Sequence, residues 1–109
     1  MIKIKADTTE SNAELSTDSS KSWTVFTNHA HVMILLSQDP KMVLREVALK
    51  IGITERAVQK IVADLQESGF IIKEKTGRSN HYKLIFDKPL RHPIEAHKKV
   101  KEVIQLINS

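Results

Sequence analysis

An interrupted helical pattern at residues 46–61 constrains the fold of this chain more than any other feature. The stretch reads EVALKIGITERAVQKI. Apolar residues recur at helical spacing on both sides of it, and Gly52-Ile53-Thr54 breaks the pattern. Glycine readily adopts the left-handed conformation that ends a helix, and a threonine hydroxyl can cap the next helix by accepting a bond from a free amide. The sequence therefore predicts two short helices that meet at a tight turn.

A tight turn between two helices is also compatible with an ordinary helical hairpin. The helix-turn-helix of DNA-binding proteins differs in needing a small residue where the helices cross and an apolar residue inside the turn. Ala48 and Ile53 occupy those two positions. The spacing therefore favours the DNA-binding form of the motif.

Length and composition limit the classes to which the chain can belong. Its 109 residues suffice for one domain with a modest core. No apolar segment has the length of a membrane span or the position of a signal peptide, so the expected location is the cytoplasm. The sequence contains no cysteine, which excludes disulfides and thiolate metal sites.

Positive charge is concentrated around the predicted helix-turn-helix. Residues 41–91 contain eleven Lys/Arg and six Asp/Glu, and their net charge of +5 exceeds the +4 of the whole chain. Residues 1–22, by contrast, contain three lysines and four acids. A local excess of positive charge indicates a polyanionic partner.

The remaining patterns predict one helix before the motif, and a hairpin and a further helix after it. The first helix should be capped by Thr27 or Asn28, end near Ser37 and bury Val32, Leu35 and Leu36. The other predicted elements are a very short strand at Met42-Val43, helices at 44–51 and 55–68, strands in FIIKEK and NHYKLIF around a turn at 76–79, and a last helix at 94–107.

This order of elements predicts an α+β, mainly helical fold, a winged helix-turn-helix with a three-helix core, a β-hairpin wing and a C-terminal helix. We expect a flexible N-terminal arm at 1–22, a DNA-binding domain at 23–88, and a C-terminal helix at 89–109 that dimerises. Residues 23–107 resemble the winged-helix transcription regulators, nearest to the MarR and ArsR types. The most specific part of the resemblance is LREVALKIGITERAVQKIVADLQESGFIIKEKTGRSNHYKL. The expected function is sequence-specific binding of double-stranded DNA by a transcriptional regulator without enzymatic activity.

The reading residues are expected on the helix at 54–68, opposite the face that packs through Val58, Ile61, Val62 and Leu65. Arg56 can donate a forked pair of bonds to guanine in the major groove, and Gln59 can pair with adenine. The predicted contacts on and beside this helix are Arg45 and Lys60 to phosphate, Thr54 to phosphate or a thymine methyl, and Glu55 to cytosine. Glu55 is also explained by the positive end of the helix, and any one of these side chains is explained by simple solvation.

The predicted wing at 76–80 gives a second signal. Arg78 lies at the tip of the hairpin, where it is suited to enter an adjacent minor groove. The other predicted contacts of the wing are Lys75, Ser79 and Asn80. Lysines on edge strands also discourage aggregation, which accounts for Lys73, Lys75 or Lys83 without DNA, but this does not account for an arginine on the turn.

The last predicted helix has an apolar strip, formed by Ile94, Val100, Val103, Ile104 and Ile107. Such a strip either pairs with a second chain or folds back onto the first helix and completes the core of the monomer. We expect a homodimer, because one reading head offers little surface for selective binding.

Other functional classes find less support in the sequence. A winged helix can act as a protein-interaction adaptor, although an adaptor more often exposes apolar residues where this chain has Arg, Gln and Lys. A small-molecule effector could bind between the last helix and the reading head, with Trp23 or His92 lining the space. His29 and His31 are two residues apart and point to different sides of a helix, so we expect no metal site and no cofactor. No pattern of a catalytic site is present.

Overall fold

The structure is a computed structural model that describes residues 23–109; the predicted arm at 1–22 lies outside the described residues. Its elements are α1 (Asn28–Gln38), α2 (Leu44–Ile51), α3 (Glu55–Glu67), β1 (Ile71–Thr76), β2 (Ser79–Leu84) and α4 (Val100–Asn108). Three helices followed by an antiparallel hairpin and a terminal helix form the predicted winged helix-turn-helix. None of the helices at 23–109 is long and apolar enough to cross a bilayer.

Helix α1 forms the centre of the core. The Thr27 hydroxyl caps it by accepting a bond from the amide of Ala30 at 3.3 Å. Four of its residues are buried, namely Val32, Met33, Ile34 and Leu36. The prediction for Leu35 was wrong, because this side chain is only partly buried and packs at the margin of the core.

The turn between α2 and α3 has the predicted structure. Gly52 has a φ of +91°, in the left-handed region. The amides of Gly52 and Ile53 both donate to the carbonyl of Ala48, at 2.8 and 3.1 Å, and so close the end of α2. The Thr54 hydroxyl accepts from the amide of Ala57 at 3.0 Å and starts α3. Ala48 is buried where the two helices cross. Gly52 ends α2 and Thr54 caps α3, as the sequence predicted.

The hairpin is attached to the core only at its base. Its register runs from Ile71 opposite Leu84 to Thr76 opposite Ser79, with Gly77 and Arg78 as the two-residue connection. The side chains buried at the base are Phe70, Ile71, Tyr82 and Leu84, whereas every residue from 72 to 80 is exposed. The outer part of the wing therefore projects from the body.

The predicted strand at Met42-Val43 was wrong. The amide of Lys41 donates to the Asp39 carboxylate and that of Met42 donates to the Asp39 carbonyl, both at 3.1 Å. This local turn uses the donors that a strand would need. One bond, from the Tyr82 amide to the Pro40 carbonyl at 3.1 Å, connects the segment to β2.

The last helix begins at Val100, so the prediction that it begins at Ile94 was also wrong. An isolated antiparallel bridge joins Pro89 to Lys99. The flanking bonds run from the Leu90 amide to the Lys98 carbonyl and from the Val100 amide to the Lys88 carbonyl, both at 2.9 Å. This extended pairing holds residues 98–99 out of a helix. The Glu102 carboxylate accepts from the Lys99 amide at 2.8 Å, which starts α4 at the next residue and lowers the pKa of Glu102.

Candidate nucleic-acid interface

One side of α3 packs on the core and the other is polar and exposed. The predicted packing residues Val58, Ile61, Val62 and Leu65 are all buried. Arg56, Lys60, Ala63 and Glu67 follow one another at intervals of three or four residues, so they form a single exposed stripe on the opposite side. Gln59 is exposed beside this stripe. The N-terminal half of the stripe carries the groups that can donate to bases and phosphates.

All ten predicted DNA contacts are at the surface, namely Arg45, Thr54, Glu55, Arg56, Gln59, Lys60, Lys75, Arg78, Ser79 and Asn80. Exposure makes each side chain available to a partner. Thr54 has a second task, because its oxygen caps α3. Its hydroxyl proton stays free to be donated.

The wing brings the other predicted contacts together. Lys75 lies opposite Asn80 across the hairpin, and Thr76 lies opposite Ser79. Lys83 lies 3.7 Å from Glu74 and is partly neutralised by it. Lys75 and Arg78 have no ion-pair partner among residues 23–109. Lys73, opposite Tyr82, also has no ion-pair partner among these residues, so the uncompensated positive charge of the hairpin extends from its middle to its tip.

A polar cluster that could not be predicted from the sequence lies beside the exposed stripe of α3. Asp64 accepts a bond from Lys60 Nζ at 3.0 Å with one carboxylate oxygen and a bond from His29 Nε2 at 2.9 Å with the other. These bonds, that from His29 above all, lower the pKa of Asp64. The spacing of Lys60 and Asp64 is a recognisable helical pair, but His29 lies on α1 and only the packing of α1 on α3 brings it near.

A cavity of about 330 Å³ lies beside this cluster, between the start of α1, the end of α3 and the loop before α4. Its walls are mainly apolar, with Phe26, Leu65, Phe70, Leu90 and Val103 among them, and its polar groups include His29, Asp64, Arg91 and Glu95. Trp23 and His92, the residues that we expected to line an effector site, do not line this cavity. His92 Nδ1 instead accepts from the amide of Ile94 at 3.1 Å, within its own loop.

The predicted dimerisation strip is divided between the core and the surface. Val100 and Ile104 are buried in the core of this chain, where α4 packs against α1. Val103 is partly buried, and Ile107 and Ile94 are 42% and 79% exposed. Val100 and Ile104 therefore help to complete the core of the monomer, which was the alternative to dimerisation.

Within residues 23–109, no group of three or more His, Cys, Asp or Glu side chains could hold a metal ion.

Part of the chain matches a known protein family. Residues 26–72, from the segment before α1 to the first residues of β1, match the family described as winged helix-turn-helix DNA-binding. Over these residues the chain is similar to winged helix-turn-helix DNA-binding domains. No curated protein matches the chain.

Solved structures similar to this chain include a MarR family protein. One is the MarR family protein Rv2887 of Mycobacterium tuberculosis in complex with salicylic acid, at 19% identity, 74% coverage of this chain, 54% coverage of that chain and a TM-score of 0.50. Another is a mutant of ZitR from Lactococcus lactis, at 20% identity, 86% and 58% coverage and a TM-score of 0.52. At these identities the similarity is one of fold. The chain spans little more than half the length of either protein.

Proposed function

We propose that this protein binds double-stranded DNA sequence-specifically and regulates transcription, with α3 in the major groove and the wing on the adjacent backbone or minor groove. One observation carries the proposal: the exposed stripe of α3 begins with Arg56 and Lys60 directly after the Gly52 turn. The N-terminal part of the second helix of such a motif is the part that reaches base edges. The large exposed apolar side chains of residues 23–109 lie outside α3, which argues against an adaptor that uses this face.

The proposed contacts on α3 divide into reading and anchoring groups. Arg56 and Gln59 have the donor patterns that match guanine and adenine in the major groove. Lys60 and Arg45 provide charge for phosphates. Thr54, with its oxygen engaged in capping, is suited to donate its hydroxyl proton to a phosphate oxygen. Glu55 lies in the first turn of α3, where a carboxylate stabilises the positive end of the helix.

The proposed wing contact is electrostatic. Arg78 is at the apex of a two-residue turn, and the exposed outer part of the hairpin lets it reach beyond the body of the protein. A narrow minor groove has an enhanced negative potential that attracts an arginine. Lys75, Ser79 and Asn80 would then lie near the flanking phosphates.

The salt dependence of binding tests this proposal. We expect the affinity for a selected duplex to fall steeply with salt, by nearly one unit of log-log slope for each phosphate neutralised. Lys75→Ala should weaken binding to all sequences alike and reduce the slope by about 1. The measurement is fluorescence anisotropy over a salt series.

Lys88→Ala is the control for this series, because Lys88 lies over the Phe70 ring, 5.8 Å from its centroid, outside the proposed DNA contacts and the proposed dimer surface. It should leave the slope unchanged. Failure of the unmodified chain to bind any duplex recovered from a randomised pool would contradict the proposed function.

We also propose that the protein is a homodimer, with residues 23–88 as the reading head and the surface of residues 89–109 at the contact. Ile94, Leu106 and Ile107 leave apolar area exposed beside the buried part of the tail. Two heads would meet half-sites one turn of DNA apart. Sedimentation equilibrium measures the mass directly, and a monomer both with and without duplex would refute the dimer.

A small-molecule effector is a further part of the proposed function. The cavity between α1, α3 and the tail has the apolar walls and the few polar groups that are typical of ligand sites. The structurally similar Rv2887 was solved with salicylic acid. Titration with salicylate should shift the amide NMR signals of Leu65, Phe70 and Val103, and unchanged signals would exclude this compound class from the cavity.

A further inference from the structure

We propose that His29 and Asp64 form a positioning pair that controls how readily Lys60 binds a DNA phosphate, and that they make this binding depend on pH. The inference rests on the proposed function, since it concerns the same face of α3. It adds two residues that do not themselves need to contact DNA.

The geometry places Asp64 between the two cations. Its carboxylate holds Lys60 Nζ at 3.0 Å on one oxygen and His29 Nε2 at 2.9 Å on the other. Lys60 belongs to the exposed stripe with Arg56, one helical turn further on, whereas Asp64 lies at the edge of α3 that faces α1. A carboxylate only accepts hydrogen bonds, so His29 donates through Nε2 in either of its charge states.

Asp64 competes with DNA for the lysine. The Lys60 side chain is 76% exposed, so it can turn from the carboxylate to a phosphate without disturbing the core. When Lys60 turns away, the Asp64 carboxylate loses one neighbouring cation while it lies close to the negatively charged DNA. Exposed ion pairs of this kind are weak, and releasing Lys60 from the competition should tighten DNA binding about two- to fivefold.

The charge of His29 determines the free-energy cost of moving Lys60 from Asp64 to a DNA phosphate. After Lys60 has moved to a phosphate, a protonated His29 still neutralises Asp64, whereas a neutral His29 only supplies a hydrogen bond. DNA binding therefore favours the protonated imidazole, and the complex takes up protons. By linkage, the affinity rises as the pH falls and the imidazole takes up its second proton.

The charged groups around His29 come from three elements. Lys60 and Asp64 lie on α3, and Arg91 and Glu95 of the loop before α4 line the same cavity as His29 and Asp64. On α1 itself, His31 Nδ1 lies 3.1 Å from the side-chain oxygen of Asn28 and has no charged partner among residues 23–109. His31 is therefore the matched control for His29.

The test measures duplex affinity by anisotropy from pH 6 to pH 8. Asp64→Asn should raise the affinity at pH 8 about two- to fivefold, and this gain should disappear when Lys60 is also changed to Ala. His29→Gln should flatten the rise in affinity toward pH 6, whereas His31→Gln should keep the slope of the unmodified protein. A merely structural role of His29 would lower the affinity at every pH and leave the slope intact.

Two outcomes separate this inference from the proposed function. If the unmodified chain binds a duplex and depends on Arg56, but Asp64→Asn leaves the affinity unchanged and His29→Gln keeps the slope, the inference is wrong and the function stands. If the unmodified chain binds no duplex at any pH, the proposed function fails and this inference fails with it.

Discussion

Replacing Arg56 by alanine should abolish base discrimination at one position of the DNA site. The expected loss is about 1–3 kcal/mol, or roughly fivefold to more than a hundredfold in affinity for the preferred base. The reason is geometric, because the guanidinium presents two parallel donors to the two acceptors of a guanine edge. Selection from randomised duplexes, followed by anisotropy on the selected site and its single-base variants, measures the loss.

Two further variants make this measurement specific. Arg56→Lys keeps the charge but not the fork, so it should retain most of the general affinity and lose most of the discrimination. Gln66→Ala changes another exposed side chain of α3, near the other end of the helix, and should change neither. If Arg56→Ala lowered the affinity equally for every DNA sequence, Arg56 would contact phosphate and other residues would read the bases.

Leu36→Ala should reduce the free energy of unfolding by about 2–5 kcal/mol. Leu36 is 0% exposed, and it lies on α1, which contacts α2, α3, α4 and β2. Truncation of Leu36 therefore opens a cavity in the part of the core where α1 packs against these elements. Small domains have a total stability of about 5–15 kcal/mol, so the variant should unfold at a clearly lower urea concentration.

Leu49→Ala is the matched control, because it makes the same chemical change on α2 at a side chain that is 77% exposed. It should alter the stability by less than about 0.5 kcal/mol. Urea unfolding followed by circular dichroism gives both values. Equal losses for the two variants would contradict the placement of the core.

The parts of the fold that could be predicted are those fixed by local chemistry. Gly52 and Thr54 determine a helix end and a helix start through bonds within a few residues, and Gly77-Arg78 closes the hairpin in the same way. The helix at 94–107 failed as a prediction because the Pro89–Lys99 bridge is a tertiary contact. Apolar periodicity at Ile94 could not reveal that this bridge extends the backbone before Val100.

The candidate site also has a part that follows from local spacing and a part that depends on tertiary packing. The exposed stripe of α3 follows from helical spacing once the buried side is known, so Arg56 and Lys60 could be placed from the sequence. His29 and Asp64 could not be paired, because 35 residues separate them and no spacing rule joins two different helices. The cavity beside them likewise depends on how the loop before α4 folds over the end of α3.

The two-residue connection of the hairpin limits how its reach can be altered. Successive residues of a strand face opposite sides and advance about 3.3 Å. One extra residue in each strand would therefore lengthen the projection but turn the apical guanidinium to the other side. The smallest extension that preserves its orientation adds two residues to each strand, about 7 Å, so the distance from Arg78 to the body of the protein can change only in coarse steps.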